Sequence, residues 1–280
     1  FSTHHRALDM KLYLKISPEL YLKRLIVGGF EKVYEVSKNF RNEGIDRSHN
    51  PEFLLLEWYE AYTDYLYQMK QFEELVAHLA KVITGSTVVQ YQGKTLDFTP
   101  PWRRMTVTEG IEEQTGLNVE KMTVQDLFKT LKDKGSDLEK PSSKGEMIME
   151  LFDICVEKHL WQPVFVMDHP VEISPLTKIH RSKPGFVERF EPVAAGMEIG
   201  NSYSELNDPE DQFQRLKEQE AKRVVDEEAQ PMDEDFMHAI DVGMPPTGGV
   251  GLGVERIIML LTDQSSIRDI ILFPTMKPRL

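Results

Sequence analysis

The sequence predicts an α+β protein whose strands pair mainly antiparallel, with helices packed against them. Residues 31–38, with Val and Tyr among charges, and the aromatic and aliphatic residues 53–62 read as two strands joined by a long polar loop. Residues 88–98 read as a hairpin turned at Gln92-Gly93. Residues 65–83 place Phe72, Leu75, Val76 and Leu79 on one stripe of an amphipathic helix, a pattern that packs into a core.

The remaining elements follow in order. Residues 1–25 change from a polar, strand-like opening to a helix. Ser17 is its expected cap, Pro18 its first position, Leu20, Lys23 and Arg24 continue it, and Gly28-Gly29 end it. From 106 to 160 the pattern turns helical and locally charged around Gly135, Pro141 and Gly145, and reads as a helical insertion rather than an independent domain. There Thr108 precedes an acidic turn, Thr123-Val124-Gln125-Asp126 resembles a capping box, and the charge runs read as solvated faces. Residues 163–173 return to strand character with Val164, Phe165, Val166 and Met167. Residues 205–235 are acidic and contain a long polar surface helix. Finally, a glycine-rich strand or turn at 248–256 leads into the apolar run 257–261, suited to a buried helix.

Composition narrows the function. A chain of 280 residues can bury a large core as one domain or two small ones. It has no run of about 18 apolar residues, so no membrane span is expected. No signal peptide is expected either, and a start at Phe1 reads as a trimmed beginning. The single Cys155 sits in an apolar helical pattern as a core residue and fits a reducing, cytoplasmic setting. Acids outnumber bases 46 to 33, for a net charge of −13, which argues against a strongly basic nucleic-acid binder.

Three constellations carry chemistry. The first is Asn39-Phe40-Arg41-Asn42-Glu43-Gly44 followed by His49-Asn50-Pro51-Glu52-Phe53. A strand end can hold the planar guanidinium of Arg41 against phosphate oxygens, and a loop can close over a nucleotide. Alone, a strand-end arginine as often faces solvent or pairs with a glutamate. The second is Gly248-Gly249-Val250-Gly251-Leu252-Gly253-Val254-Glu255-Arg256, whose glycines admit close backbone approach. It is neither a dinucleotide fingerprint nor a Gly-x-x-x-x-Gly-Lys phosphate loop. The third is Glu191, Glu198 and Glu205, spaced by seven. That spacing suits one helix face, but Phe190 to Gly196 reads as a strand entering a turn, so two strands could bring the carboxylates together. Clustered carboxylates call for a cation, and magnesium shared with nucleotide phosphates would serve. On spacing alone they could equally be surface glutamates. His4, His5, His159, His169, His180 and His238 are scattered without metal-ligand spacing and read as structural.

The first two blocks together resemble motifs 2 and 3 of the class II aminoacyl-tRNA synthetases. Thr3-His4-His5-Arg6-Ala7-Leu8-Asp9, Leu12 to Leu25, Met197-Glu198-Ile199-Gly200-Asn201, Ser204-Glu205-Leu206-Asn207-Asp208-Pro209 and Leu272 to Pro278 resemble the lysyl enzymes of subclass IIb, over essentially the whole chain. The resemblance implies the class II core: one catalytic domain over 1–280, a mainly antiparallel sheet flanked by helices, with the insertion at about 106–160. It implies a chain without the anticodon-binding barrel and without motif 1, which builds the dimer interface. By the same resemblance Arg41 binds the ATP α-phosphate and Arg256 the γ-phosphate, both as catalytic residues, while Phe53 and Arg256 sandwich adenine. His49 and Asn50 order the triphosphate loop, Gly253 lines the ATP site, and Glu43 lies near both ATP and the amino group of lysine. Glu191 and Glu198 hold Mg2+. Asn201 and Tyr203 orient the amino acid, Gly251 lines its site, and Glu19 and Glu205 receive the ε-ammonium with Tyr59 nearby. Departures at Ser37-Lys38, Leu54, Leu55, Leu56 and Glu255 predict altered packing behind the ATP site. The implied reaction joins L-lysine to ATP as lysyl-adenylate, then transfers lysine to the 3′ end of tRNA-Lys, with a homodimer as the full-length form. Two rivals are transfer to a protein acceptor such as elongation factor P and a noncatalytic lysine- or ATP-binding fragment.

Overall fold

The computed structural model describes residues 1–42, 44–222 and 232–276. It opens with an exposed hairpin of β1 (Ser2–His5) and β2 (Met10–Tyr13). Helix α1 (Glu19–Val27) follows. Its N-cap falls on Pro18, not Ser17, yet the Ser17 hydroxyl still accepts the Glu19 N–H at 3.0 Å. Gly28 ends the helix, and Gly29 turns the chain at a φ of 98°.

Strands β3 (Lys32–Phe40) and β4 (Glu52–Ala61) pair antiparallel from Lys32 opposite Glu60 to Phe40 opposite Glu52, with the polar loop between them. Helix α2 (Tyr65–Thr84) is capped by Asp64, whose carboxylate accepts the N–H groups of Leu66 and Tyr67. Its most buried stripe is Tyr65, Met69, Phe72, Val76 and Ala80, while the expected Leu75 and Leu79 pack half-buried at the edge. Strands β5 (Val88–Tyr91) and β6 (Lys94–Asp97) turn at Gln92 and Gly93, both at positive φ, as a tight hairpin turn requires.

Strand β7 (Arg103–Thr106) leads into α3 (Val107–Thr115), α4 (Val124–Asp133) and α5 (Lys144–Cys155). Reciprocal capping boxes start all three, at Thr106/Glu109, Thr123/Asp126 and Ser143/Glu146. The first cap is Thr106, and Thr108 lies inside the first turn of α3. Ile111, Leu127, Leu131, Met147, Leu151 and Phe152 bury together against β8 (Val164–Met167). That strand is shorter than the 163–173 expected: Asp168 takes a φ of 57°, and Val171–Ile173 form a 3-10 turn. Strands β9 (Arg189–Ala194), β10 (Met197–Glu198) and β11 (Gly200–Ser204) come next, the first turn made by Ala195 and Gly196 at positive φ. The acidic stretch supplies α6 (Pro209–Lys222), and its continuation over 223–231 lies outside the described residues. Helix α7 (Glu234–Val242), strand β12 (Thr247–Gly253) and helix α8 (Val254–Leu261) complete the fold.

The main sheet runs β3-β4-β12-β11-β9-β8-β7, with β10 added on β9. Every pairing in it is antiparallel except β7 with β8. Helices α2 and α8 cover one face, where Phe72, Phe165, Phe190, Trp102, Val250, Leu252 and Leu260 are buried. Each such side chain contributes roughly 1.5–3 kcal/mol by leaving water. Helices α1 and α7 cover the far end of the opposite face, with Leu22, Ile26, Phe236 and Ile240 packed around Tyr59 and Ala61. No helix among the described residues is long and apolar enough to cross a membrane.

Candidate active site

Strand periodicity assembles the site. Residues directly opposite one another in neighbouring strands share a sheet face. Phe53, Glu57 and Tyr59 on β4 therefore share a face with Gly253, Gly251 and Gly249 on β12, with Asn201 and Tyr203 on β11, and with Arg189 and Glu191 on β9. The alternate residues Val250 and Leu252 point into the core under α2 and α8. One polar face thus carries Phe53, Tyr59, Glu191, Asn201, Tyr203, Gly251 and Gly253 among the sequence-predicted residues, and the register sets their order along it.

At one end of this face lies a carboxylate pocket. Helix α1 contributes Glu19 and Lys23, one turn apart, and β4 contributes Glu57 and Tyr59. Glu205 lies just past β11 and is buried. The Lys23 ammonium, at 0% exposure, reaches Glu19 Oε1 at 2.6 Å and also contacts Glu205 Oε2. The Tyr203 hydroxyl donates to Glu19 Oε1 at 2.5 Å. Glu57 accepts from Ser17 Oγ at 2.8 Å and from Tyr59 Oη at 2.7 Å. The second oxygen of Glu205, Oε1, is buried without a hydrogen-bond partner. Glu19 and Glu205 therefore share one resident ammonium, with Glu57 close by, and the electrostatics follow. Burial and Glu19 push Glu57 above the usual carboxylate range. Burial also pushes Glu205 up, with Lys23 pulling it back and Glu19 and Glu57 adding to the rise. Burial lowers Lys23, but Glu19 and Glu205 outweigh it and hold the ammonium charged. The phenols of Tyr59 and Tyr203 are held well above their ordinary value by burial and then by Glu19.

A glycine makes room for this cluster. A Cβ on Gly249 would lie 2.0 Å from Glu205 Oε1 and 2.5 Å from the Tyr59 ring. At Gly251, the position singled out from sequence, a Cβ would meet nothing closer than 3.8 Å.

Toward the other end Arg189 is the hinge. It donates to Asn201 Oδ1 at 3.0 Å, to Ser174 Oγ at 2.9 Å and to Glu191 Oε1 at 2.5 Å, tying the amino-acid side to the Glu191 side. Glu198 lies opposite Val193 across the β9–β10 turn. Burial pushes it above its ordinary range, Glu191 pushes it further, and Arg256, Arg189 and Arg41 oppose the rise. Glu157 is raised by desolvation and then by Glu198 and Glu191, while Asp153 is raised by desolvation and then by Glu157 and Glu191. Glu191 and Glu198 thus lie close together, while Glu205 stands apart in the other pocket. Such an excess of carboxylate charge fits a divalent cation. Among the described residues no three metal-binding side chains converge, so the donor set suits an ion that completes its shell with phosphates and water.

At the nucleotide end, Arg41 follows β3, and its guanidinium lies 5.1 Å from the centroid of the Phe53 ring. Arg256, on the first turn of α8, donates to the Glu198 carbonyl at 2.6 Å and to His49 Nε2 at 3.1 Å. His49 Nδ1 in turn faces Asp46 Oδ2 at 2.8 Å, which sets the neutral Nδ1–H tautomer when Nε2 accepts from Arg256. Burial would raise Asp46, but hydrogen bonds from Ser48 and His49 hold it below the usual range. Asn50 is buried, donates to the Glu52 carbonyl at 2.6 Å and leaves Oδ1 without a partner. Gly253 donates its N–H to Ile199 O at 3.1 Å. Glu255, buried, accepts the Leu54 N–H at 2.7 Å and so locks α8 to β4. Glu43 lies outside the described residues.

Sequence reasoning left out Lys23, Glu57, Arg189, Gly249, Asp153 and Glu157. Signals existed for three of these: Lys23 stands four after Glu19, Glu57 two before Tyr59, and Arg189 two before Glu191. The others depend on strand register and helix packing.

Residues 1–277 match the family model described as tRNA synthetases class II (D, K and N). A lysine–tRNA ligase of Thermoanaerobacter pseudethanolicus is 53% identical over 281 residues, covering 100% of this chain and 56% of that protein. The lysine–tRNA ligase of Roseiflexus castenholzii is also 53% identical, over 100% of this chain and 58% of its own length. That of Methanoculleus marisnigri is 53% identical over 279 residues, 99% of this chain and 55% of its own length. The chain thus spans a little more than half the length of these relatives. With its antiparallel core, its arginine-bearing strand–loop–strand and its glycine-rich strand feeding an arginine helix, the chain belongs to the class II tRNA synthetases of the D, K and N group.

Proposed function

We propose that this chain is the catalytic domain of a lysine–tRNA ligase, activating L-lysine with ATP and passing it to the 3′ end of tRNA-Lys in the cytoplasm. The observation that carries the choice of lysine is Glu205 Oε1, a buried carboxylate oxygen with no hydrogen-bond partner, in a pocket where Glu19 and Glu205 meet one ammonium beside Glu57. A buried anionic acceptor of this kind is costly until a cation meets it, and an alkylammonium side chain is that cation. The names of the relatives support the same reading.

In this reading Glu19 and Glu205 receive the ε-ammonium, with Tyr59 beside them and Tyr203 fixing Glu19. Asn201, steadied by Arg189, and Gly251 hold the amino-acid backbone, with Glu43 at its amino group. The lysine carboxylate attacks the α-phosphorus, forming the new P–O bond as the bond to pyrophosphate breaks. Arg41 swings from Phe53 to the α-phosphate and meets the charge that develops there, while Arg256 leaves His49 for the γ-phosphate. Adenine takes the place of Arg41 on the Phe53 ring, with Arg256 across from it. Asn50, His49 and Gly253 shape the triphosphate site. Glu191 and Glu198 would hold Mg2+, which would neutralise charge on the phosphates. No side chain acts as covalent nucleophile; positioning and charge do the work.

Residues 106–160 form a helical insertion of this single domain. The full-length protein is a homodimer, and Tyr21, Leu25, Phe30, Tyr34 and Val36, exposed around α1 and the edge strand β3, support an interface there. Lysine-dependent ATP–pyrophosphate exchange tests the reading. Exchange with lysine and Mg2+, but not with aspartate or asparagine, is expected. No exchange from a folded chain that binds lysine and ATP would make it a binding fragment, and lysylation of elongation factor P without that of tRNA-Lys would change the acceptor.

A further inference from the structure

Lys23 has no part in the reaction as drawn, yet its ammonium sits inside the pocket meant for a ligand ammonium. Two roles are open to it. It could be a placeholder that departs when lysine arrives, or a permanent part of the pocket. Geometry decides between them. Lys23 is fully buried on α1 between Leu22 and Ile26, its neighbours in the α1–α7 core. Its Nζ also lies 5.4 Å from the Tyr203 ring centroid and 5.9 Å from that of Phe236. A departing ammonium would have to leave two carboxylates and two rings for a packed apolar layer, at a cost of several kcal/mol per unpaired ion. Nor is departure needed. Lys23 uses Glu205 Oε2 and Glu19 Oε1, and Glu205 Oε1 stays free.

We propose that Lys23 is a permanent positioning residue of the lysine pocket: its ammonium ties Glu19 to Glu205 through one oxygen of each and leaves Glu205 Oε1 facing the ligand. The inference rests on the lysine reading above. It assigns the pocket a charge rule: Glu19 and Glu205 on one built-in cation, with Glu57 beside them, leave a negative excess that an incoming monocation reduces. The groups facing Lys23 are Glu19 from α1, Glu57 and Tyr59 from β4, and Tyr203 and Glu205 from β11 and its end. From α7 it meets the Phe236 ring. Without the resident cation these carboxylates repel one another undiluted, and a proton replaces the missing charge. A protonated Glu205 offers the ligand ammonium a donor in place of an acceptor. The pH at which lysine binds well must then move upward.

The test is the pH profile of the lysine Kd between pH 6.5 and 9 for this chain and Lys23→Met, with the ATP Kd as the check on folding. The expected result is a loss of about 10- to 100-fold in lysine affinity at pH 7, shrinking steadily toward pH 9, with the ATP Kd within about twofold. Lys23→Gln keeps hydrogen-bond donors without charge; it should show the same displaced profile, and it carries the test if Lys23→Met loses ATP binding. Profiles of identical shape, whether superposed or offset by one factor at every pH, would overturn the proposal, as would tighter lysine binding, the mark of a placeholder. A wild-type chain that binds ATP but no lysine would instead remove the lysine reading, and this inference with it.

Discussion

The carboxylate pocket and the nucleotide end share one sheet face but are built differently. In the pocket the charges sit on strands and a helix, buried, and fixed by partners from other elements: Lys23 for Glu19 and Glu205, Ser17 and Tyr59 for Glu57, Tyr203 for Glu19. At the nucleotide end Arg41 lies exposed against Phe53, and Arg256 rests on a loop histidine, His49. The Arg41 contact is weak and exchangeable, since an exposed cation–π pair is worth only about 0.5–1 kcal/mol, whereas Arg256 is also held by the Glu198 carbonyl at 2.6 Å. The difference teaches a division of labour. Side-chain selection is set before the ligand arrives, by groups that need not move. Phosphate recognition is left to arginines that trade a weak internal partner for a charged one, so their binding energy appears as charge develops on phosphorus.

The largest effect should come from the movable end. Arg41→Ala is expected to lower ATP–pyrophosphate exchange about 10³- to 10⁵-fold, as the loss of a transition-state arginine does in other phosphoryl chemistry. Lysine affinity should stay within about twofold, because the pocket does not lean on Arg41. Retained exchange would remove the phosphate role of Arg41; a collapse of lysine affinity would erase the division between the two ends. Glu205→Gln strikes the rigid end. It leaves Lys23 with one carboxylate and the ligand ammonium short of an anion, a loss of about 2–5 kcal/mol, read as lysine affinity lowered roughly 30- to several-thousand-fold. The ATP Kd should not follow. Gly249→Ala drives a methyl against Glu205 Oε1, 2.0 Å away, and against the Tyr59 ring. Overpacking of this kind costs about 1–3 kcal/mol, so thermal stability and lysine affinity should both fall, while Gly251→Ala leaves stability nearly unchanged. Equal stability loss at the two glycines would show that the pocket is softer than its packing suggests.

How much of this was legible in the sequence also differs between the two ends. Strand alternation, the Gln92-Gly93 turn, the capping box at Thr123 and the glycine stop at Gly28 are local, and the fold follows them. The arginine-bearing loop and the glycine-rich strand are contiguous in sequence and stand out as blocks. The pocket is not contiguous. Its residues come from α1, β4, the end of β11 and β12, and only the register that sets Tyr59 and Tyr203 opposite Gly249 makes a neighbourhood of them. That is why Lys23 reads as one more polar position on a helix, and why Gly249, the glycine with no room to spare, is indistinguishable from Gly251 on paper. Local signals also misplace boundaries where a longer-range contact competes. Ser17 divides its hydroxyl between the Glu19 N–H and Glu57, so the formal cap shifts to Pro18.

The smallest effect concerns protons, and it separates the ends most cleanly. Burial pushes Glu205 up to about 8 even with Lys23 beside it, and Glu57 is raised by burial and by Glu19. Glu57 and Glu205 therefore hold a proton in the folded chain that the unfolded chain releases near the ordinary carboxylate range. Between roughly pH 5 and 8 the folded state binds more protons than the unfolded state, so this contribution to stability falls as the pH rises through that window. The thermal midpoint of the ligand-free chain should accordingly decline by a few degrees across it, where a shift of about 1 kcal/mol in a chain this large moves the midpoint by roughly 2–4 °C. Saturating lysine brings the cation that replaces the proton, and should flatten the decline. Glu205→Gln should make it shallower, leaving the shares of Glu57 and Glu198, and weaken its response to lysine, whereas Arg41→Ala removes a cation that opposes the rise at Glu198 and should leave the response to lysine as it is. A slope that survives Glu205→Gln unchanged would move the proton off Glu205. One that Arg41→Ala abolishes would mean that the two ends titrate together, and that the rigid end is not set before the nucleotide end moves.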